Sequence, residues 1–210
     1  YTPYIELKDR KDGETNWDTF FKQPFGVSKR KRFSKNSEGY SSEKISSGYY
    51  FHTPYIKHHY NRWCKVFNKL VVLNADTEQY LNDKYTKIID SRSRILGILC
   101  RGTDYIGHKG LPIQPKIEEV INDCKIWMNK YNYEKIYLAT ESEDIYHQFI
   151  TAFPEKVIAN KRDYYDTKMH DEELKLIGEV HFNRANDNYL KGLYYLSSLV
   201  ILARCNALLA

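Results

Sequence analysis

An apolar run at 95–100 is followed at once by four residues that could do chemistry: Arg101, Gly102, Thr103 and Asp104. The run is apolar on both alternations, which is typical of a strand buried on both faces, as in a parallel sheet. The polar residues then lie at the carboxyl end of that strand, where open α/β sheets bind their ligands. A guanidinium, a glycine, a hydroxyl and a carboxylate at this place predict an anion site, and phosphate fits it best.

Arg101 is the main candidate for contact with the anion, because its planar guanidinium can bind two phosphate oxygens at once. The alternative is a structural salt bridge, for which Asp104 is close in sequence. Since Arg101 follows a strand and precedes a glycine, we favour the ligand role. Gly102 would let the backbone approach a ligand closely. We expect Thr103 and Asp104 to support the site rather than to react.

Two further residues could move a proton. His108 follows in a glycine-containing turn and titrates near neutral pH, although a lone loop histidine is more often only a surface residue. Glu141 comes just after the next predicted strand, at the same end of the sheet as Arg101, and could contact a sugar hydroxyl or act as a base. Its structural alternative is an acid at the start of a helix. Thr140 is favoured as a helix cap over a ligand.

Alternating strands and helices must position these residues. Apolar periodicity predicts strands at 95–100, 135–139, 157–158 and 206–210, and helices at 115–127, 140–153 and 190–203. Residues 160–186 have little periodicity and are predicted as a long loop with one helical turn near 172–177. Strands separated by helices of this length imply βαβ units, so we predict an α/β fold with a Rossmann-like parallel sheet over 91–210.

The first 90 residues predict a smaller, mostly helical region. A short aromatic helix begins at Trp17 and ends near Pro24, and two longer helices cover 56–89, the second of them capped by Asn74. The basic run 29–32 is interpreted as a solvated loop, and we expect poor order over 29–47. The chain starts without Met and ends inside an apolar run, so we expect it to be part of a longer protein, with the domain at 91–210 cut at its carboxyl end.

Composition narrows the class of protein. The chain has 210 residues, 42% of them hydrophobic and 28% charged, which indicates a folded domain or two rather than a disordered chain. The net charge of +5 suits an anionic ligand such as a nucleotide and is too diffuse to indicate nucleic acid. Four cysteines without metal-site spacing predict reduced thiols, with Cys100 and Cys124 buried, and a cytoplasmic protein.

Several common catalytic motifs are absent from the sequence. There is no Walker A loop, no GxGxxG, no GxSxG and no clustered metal motif. Their absence argues against a P-loop kinase or a dinucleotide dehydrogenase, and we expect no metal cofactor. A parallel sheet with an arginine at a strand end fits a nucleotide-sugar enzyme better.

Four short motifs occur in an order known from one superfamily: Ile-Leu-Cys-Arg-Gly-Thr-Asp at 98–104, Ile-Glu-Glu at 117–119, Tyr-Leu-Ala-Thr-Glu at 137–141 and Leu-Lys-Gly-Leu at 190–193. Over about 94–210 the chain resembles the donor-binding half of the α1,6-, protein O- and nodulation-type fucosyltransferases. Bacterial polysaccharide glycosyltransferases with a Cys-Arg-Gly-Thr-Asp-Tyr motif are the most similar. The resemblance implies a GT-B fold and an inverting, metal-independent sugar transfer.

The resemblance also implies roles for individual residues. Arg101 matches the arginine at the diphosphate of the donor, and His108 and Glu141 join it as catalytic candidates. Donor contacts are expected from Arg101 and the residues around it in the motifs, which are Gly102, Thr103, Asp104, Tyr105, Thr140 and Glu141. The family motif reads roughly His-Val-Arg-Arg-Thr-Asp, so its histidine is Leu99 here and its second arginine is Gly102.

The implied partners are a nucleotide sugar, with GDP-fucose as one option, and a glycan or lipid-linked saccharide acceptor. Nucleic acid is not expected as a partner, and association with the inner face of a membrane stays open. Residues 1–90 are consistent with a remnant of an acceptor-side domain. The alternative function is a non-catalytic module that binds a nucleotide or a glycan.

Overall fold

The computed structural model describes residues 17–24, 56–90, 92–102, 115–165 and 181–209, without the side chains of 56–60, 62 and 63. The chain divides into two compact units, Tyr1–Glu78 and Gln79–Ala210. The basic run at 29–32, the predicted poorly ordered stretch 29–47 and the predicted helical turn at 172–177 lie outside the described residues.

The three helices predicted before the sheet are all present. Helix α1 covers Trp17–Phe20, α2 covers Ile56–Leu70, and α3 covers Ala75–Ile88 and continues into the second unit. Asn74 caps α3 as expected, because its Oδ1 accepts a hydrogen bond from the backbone N–H of Thr77 at 2.9 Å. Its amide nitrogen donates to the backbone oxygens of Asp18 and Thr19, both at 3.0 Å, and so links α3 to α1.

The second unit is built from alternating strands and helices, as the sequence predicts. In chain order it contains β1 (Ile95–Leu99), α4 (Ile117–Tyr131), β2 (Lys135–Ala139), α5 (Glu143–Ala152), β3 (Val157–Ala159), α6 (Asp187–Ala203) and β4 (Ala207–Leu209). The strands form one parallel sheet in the order β3-β2-β1-β4. The predicted α/β class is therefore confirmed.

Helices cover both faces of this sheet. On one face Leu96, Ile98, Ile136 and Leu138 pack against α4 and α5, whose buried residues include Cys124, Met128, Ile145 and Phe149. On the other face Ile95, Tyr137 and Ala139 pack against Ile201 and Leu202 of α6. Burial of each large apolar side chain stabilises the fold by about 1.5–3 kcal/mol relative to leaving it exposed. This two-sided burial explains why the strands read as continuous apolar runs.

The starts of α4 and α6 differ from the predictions for local reasons. Helix α4 begins at Ile117 with Lys116 as N-cap, so Pro115 lies just before the helix rather than in its first turn. Helix α6 begins at Asp187, three residues before the predicted start, because Asp187 is bound by Lys191 one turn later.

Strand order identifies the part of the sheet that suits a ligand. From β1 the chain adds β2 and then β3 on one side, whereas β4 lies on the other side of β1. The order therefore reverses at β1. In open α/β sheets the crevice at such a reversal, outside the carboxyl ends of the strands, is where ligands bind. We call this end of the sheet the carboxyl edge.

Candidate functional site at the carboxyl edge

Strand register brings Arg101 and Glu141 together. Leu99 of β1 lies opposite Ala139 of β2, and each of the two charged residues comes two positions later. The Arg101 Nη2 donates to Glu141 Oε2 at 3.3 Å, and the two side chains are 23% and 12% exposed. The structure thus places the predicted arginine and glutamate in contact, with part of the arginine side chain still open to solvent.

The backbone at Gly102, which is expected to lie close to a ligand, lies close to helix α5. Gly102 is buried, and a Cβ built on it would lie 2.4 Å from Cδ1 of Ile145 and 3.3 Å from Cβ of Ser142. Both residues belong to the start of α5. A side chain at position 102 would therefore collide with α5, so glycine is needed here to bring the end of β1 against that helix.

The helix cap is Ser142 rather than Thr140. The Oγ of Ser142 accepts a hydrogen bond from the N–H of Ile145 at 3.4 Å. The buried Thr140 hydroxyl oxygen accepts a hydrogen bond from the N–H of Ser142 at 3.2 Å and so helps to position the capping residue. The capping-box spacing from Thr140 to Glu143 predicts Thr140 as the cap. Thr140 and Ser142 are both common N-cap types, and only the backbone conformation shows which of them caps the helix.

A segment after β3 closes back onto the start of α5. Ser142 and Tyr165 form an isolated parallel bridge, in which the Tyr165 N–H donates to Glu141 O at 2.8 Å and the Glu143 N–H donates to Tyr165 O at 3.2 Å. Tyr165 is fully buried. Burial raises the pKa of its hydroxyl to about 12, and the charges of Arg162, Glu141, Asp187 and Arg184 also act on it. Tyr165 is therefore a neutral group surrounded by ionised ones.

A buried ion cluster stands at the start of α6. The carboxylate of Asp187 accepts from Arg184 Nε at 2.7 Å, from Lys191 Nζ at 2.9 Å and from the backbone N–H of Phe182 at 3.2 Å. Arg184 also pairs with Asp163. Burial alone would raise the pKa of Asp187, but the hydrogen bonds from Lys191 and Arg184 outweigh burial and hold that pKa below its usual value.

Sequence reasoning did not find this cluster, although a signal was present. Arg184 and Asp187 are three residues apart, and Asp187 and Lys191 are four apart. This is the spacing of ion pairs on a helix. Arg184 lies in the stretch 160–186 that is predicted as a loop, so the helical spacing to Asp187 did not predict an ion pair there.

A second polar group lies between β3 and α6. The Nδ2 of Asn160 donates to Oγ of Ser197 at 2.9 Å and to Oγ of Ser198 at 3.2 Å. Asn160 and Ser197 are both buried. The pairing joins the carboxyl end of β3 to the middle of α6, which helps to fix the segment that leads to Tyr165.

The remaining predicted site residues, Thr103, Asp104, Tyr105 and His108, lie outside the described residues. Within the described parts of the chain no three His, Cys, Asp or Glu side chains gather as a metal site would require. In the same parts, none of the helices combines the length and the apolar character that a membrane crossing needs.

The four cysteines are free thiols, as predicted. Cys100 and Cys124 are buried, and burial raises the pKa of Cys100 to about 11 and that of Cys124 to about 12. Burial likewise raises the pKa of Cys205 to about 11. These three thiols stay protonated at neutral pH, which makes them poor nucleophiles.

Comparison with known proteins gives a mixed result. No protein-family model and no curated protein matches the chain. Among solved structures, the chain is similar to the NodZ α1,6-fucosyltransferase co-crystallised with GDP, with 18% identity, a TM-score of 0.42, and coverage of 68% of this chain and 39% of that one. The same enzyme soaked with GDP-fucose gives 18% identity, a TM-score of 0.42, and coverage of 69% and 40%.

A third structure, fucosyltransferase NodZ from Bradyrhizobium, gives 18% identity, a TM-score of 0.41, and coverage of 68% of this chain and 39% of that chain. The chain thus spans about two fifths of the length of these enzymes.

Proposed function

We propose that this chain carries the donor-binding part of an inverting, metal-independent glycosyltransferase, which binds a nucleoside diphosphate sugar at the carboxyl edge. The observation that carries the proposal is the position of Arg101. Arg101 follows β1, where the strand order reverses. Its side chain remains partly exposed and forms an ion pair with Glu141. An arginine in this position can meet a diphosphate with two parallel hydrogen bonds. The motifs around Arg101 and Glu141 support a sugar donor in particular.

The chemistry asks little of the protein beyond charge and position. The acceptor oxygen forms a bond to the anomeric carbon while the bond from that carbon to the diphosphate breaks. Arg101 stabilises the negative charge that develops on the leaving diphosphate. The acceptor proton goes to a base, and His108 and Glu141 are the candidates. Because a carboxylate oxygen of Glu141 already accepts from Arg101, Glu141 fits a positioning role better, which leaves His108 as the base.

The donor and the acceptor are further parts of the proposal. We propose fucose as the first sugar to test and a glycan or lipid-linked saccharide of a bacterial surface polysaccharide as the acceptor. Residues 1–90 would belong to the acceptor side and 91–210 to the donor side. The reaction would take place in the cytoplasm, at or near the inner face of the membrane.

The test is a comparison of wild-type protein with Arg101→Ala in donor hydrolysis and transfer assays, using GDP-fucose and UDP-sugars. Loss of one group that stabilises transition-state charge lowers the rate by roughly 10²–10³-fold. Arg92→Ala is the matched control, because Arg92 is also an arginine in an ion pair but is 89% exposed and precedes β1.

We expect Arg101→Ala to abolish turnover while the protein stays folded at the assay temperature, as circular dichroism would verify. Near-normal turnover in that variant contradicts the assignment. Donor binding by the wild type without any hydrolysis or transfer would instead favour the non-catalytic binding module.

A further inference from the structure

The segment after β3 carries extra residues over the carboxyl edge. Leu138 of β2 lies opposite Ala159 of β3, and Ser142 bridges Tyr165. Between these two pairs the β2 chain advances four residues and the β3 chain six. The β3 chain therefore bulges outward between Ala159 and Tyr165. Bulges of this kind re-aim side chains and are frequent beside active sites. Arg162 lies in the bulge.

Arg162 is partly buried, and the described residues give it no acidic partner. Its Nε is buried and makes no hydrogen bond within the described part of the chain. Its guanidinium lies over the ring of Tyr194, 5.7 Å from the ring centroid. A cation withdrawn from water is unfavourable unless a negative charge compensates it. The ring face of Tyr194 offers only a small part of that compensation.

The other two arginines of this region differ from Arg162. Arg101 is matched by Glu141, and Arg184 is matched by Asp187 and Asp163. Each of these pairings neutralises part of the positive charge of its arginine. Arg162 thus contributes a positive charge that the described acids do not cancel, at the end of the sheet where the proposed ligand is anionic.

Arg162 also lies close to the Arg101–Glu141 pair. The Tyr165 backbone is hydrogen-bonded to Glu141 at 2.8 Å, three residues after Arg162. The charges of Arg162 and Glu141 both act on the Tyr165 hydroxyl. Glu141 in turn pairs with Arg101 at 3.3 Å, so Glu141 connects the segment that carries Arg162 to Arg101 at the carboxyl edge.

We propose that Arg162 supplies the second guanidinium for the diphosphate, opposite Arg101, and that the bulge after β3 exists to place it there. This inference rests on the proposed function. A diphosphate carries more than one negative charge. The partly neutralised Arg101 therefore leaves some of that negative charge uncompensated, and a second cation can compensate it. Arg162 is a binding and positioning residue in this scheme, and no proton is transferred to or from it.

The experiment is calorimetric titration of the full chain with GDP, UDP and inorganic pyrophosphate. The variants are Arg162→Gln, Arg162→Lys and Arg101→Ala, with Arg92→Gln as the control for removal of an arginine elsewhere. Loss of hydrogen bonds to a charged group should weaken binding of all three probes to Arg162→Gln by about 10- to 100-fold. Arg162→Lys should recover part of the affinity, because it restores the charge without the two-pronged geometry.

Stability of the ligand-free protein separates a binding role from a structural one. Because Gln removes a half-buried cation that has no acid beside it among the described residues, the melting temperature of Arg162→Gln should equal or exceed that of the wild type. A clear fall in that temperature together with the loss of affinity would assign Arg162 to the fold and overturn the inference.

Two further results overturn it in different ways. If Arg101→Ala loses binding while Arg162→Gln stays within twofold of the wild type, the proposed function stands and the role of Arg162 does not. If the wild type binds none of the three probes, the proposed function fails and the inference fails with it.

Discussion

The contact between Gly102 and α5 allows a stability prediction with a built-in rescue. In Gly102→Ala the new methyl carbon would start 2.4 Å from Cδ1 of Ile145, whereas carbon atoms in contact prefer about 3.5–4 Å. Ile145 is buried, so it can move only by disturbing its neighbours. Overpacking of this kind typically costs about 1–3 kcal/mol of the free energy of unfolding.

Ile145→Val removes the atom responsible. By itself this substitution deletes one buried methyl group and should cost about 0.5–1.5 kcal/mol. In the double variant the new methyl group at position 102 faces no Cδ1, and the contacts that remain, Ile145 Cγ1 at 3.4 Å and Ser142 Cβ at 3.3 Å, need only small shifts. The loss of free energy of unfolding in the double variant should therefore be smaller than the sum of the two single losses by about 1–2 kcal/mol.

Urea unfolding followed by circular dichroism measures this coupling, provided that the slope m is the same for all variants. Gly97→Ala is the matched control. Its Cβ would meet Leu202 and Cys205 on the other face of the sheet, so Ile145→Val should not rescue it. Additivity of Gly102→Ala and Ile145→Val within about 0.5 kcal/mol would refute the packing explanation for Gly102.

Two other predictions follow from buried charges and thiols. Asp187→Asn should cost about 3–5 kcal/mol near neutral pH, because it removes the buried carboxylate that both Arg184 and Lys191 contact. Since the pKa of Asp187 is lowered in the folded state, its contribution is fully present above the unfolded pKa near 4 and is lost as pH falls through the folded pKa. The stability gap between wild type and variant should therefore narrow below about pH 4 in unfolding experiments, and a gap independent of pH down to about 2 would contradict this. At about pH 8, iodoacetamide should label Cys100 and Cys124 only after unfolding, since burial raises their pKa values to about 11 and 12. Peptide mass spectrometry measures the labelling of each thiol. Rapid labelling of either thiol in the folded protein would contradict these raised pKa values.

Much of the sheet domain could be predicted because its strands are buried on both faces. Ile95 to Ile98 and Ile136 to Leu138 are apolar at nearly every position, and short runs of this kind are typical of strands between two helical layers. The position of Arg101 and Glu141 at the same end of the sheet also followed from sequence, since each residue comes shortly after such a strand, whereas their ion pair was not predicted. Both inferences needed only local pattern and the rule for ligand position in open sheets.

Other features depend on contacts between distant parts of the chain. Tyr165 belongs to a stretch without periodicity, and it bridges Ser142 beyond the paired residues of β2 and β3. The sequence predicts Gly102 as a point of approach for a ligand, but its neighbour Ile145 is 43 residues further along and could not be identified from spacing. Phe67 lies on α2 yet is 60% exposed, because the spacing of apolar residues predicts a helix but does not predict which of its residues are covered.

The capping of α5 has a consequence for how this edge can change. The N–H of Glu143 is bound by the Tyr165 carbonyl and that of Ile145 by the Ser142 hydroxyl. Many α/β proteins bind phosphate on such helix amides, which are part of the backbone and persist through substitutions. Here these two amides are occupied, so under the proposed function anion recognition at this edge relies on guanidinium side chains. A side chain can be gained or lost by a single codon change, and ligand preference at this edge can therefore diverge between related proteins while the sheet beneath it stays the same.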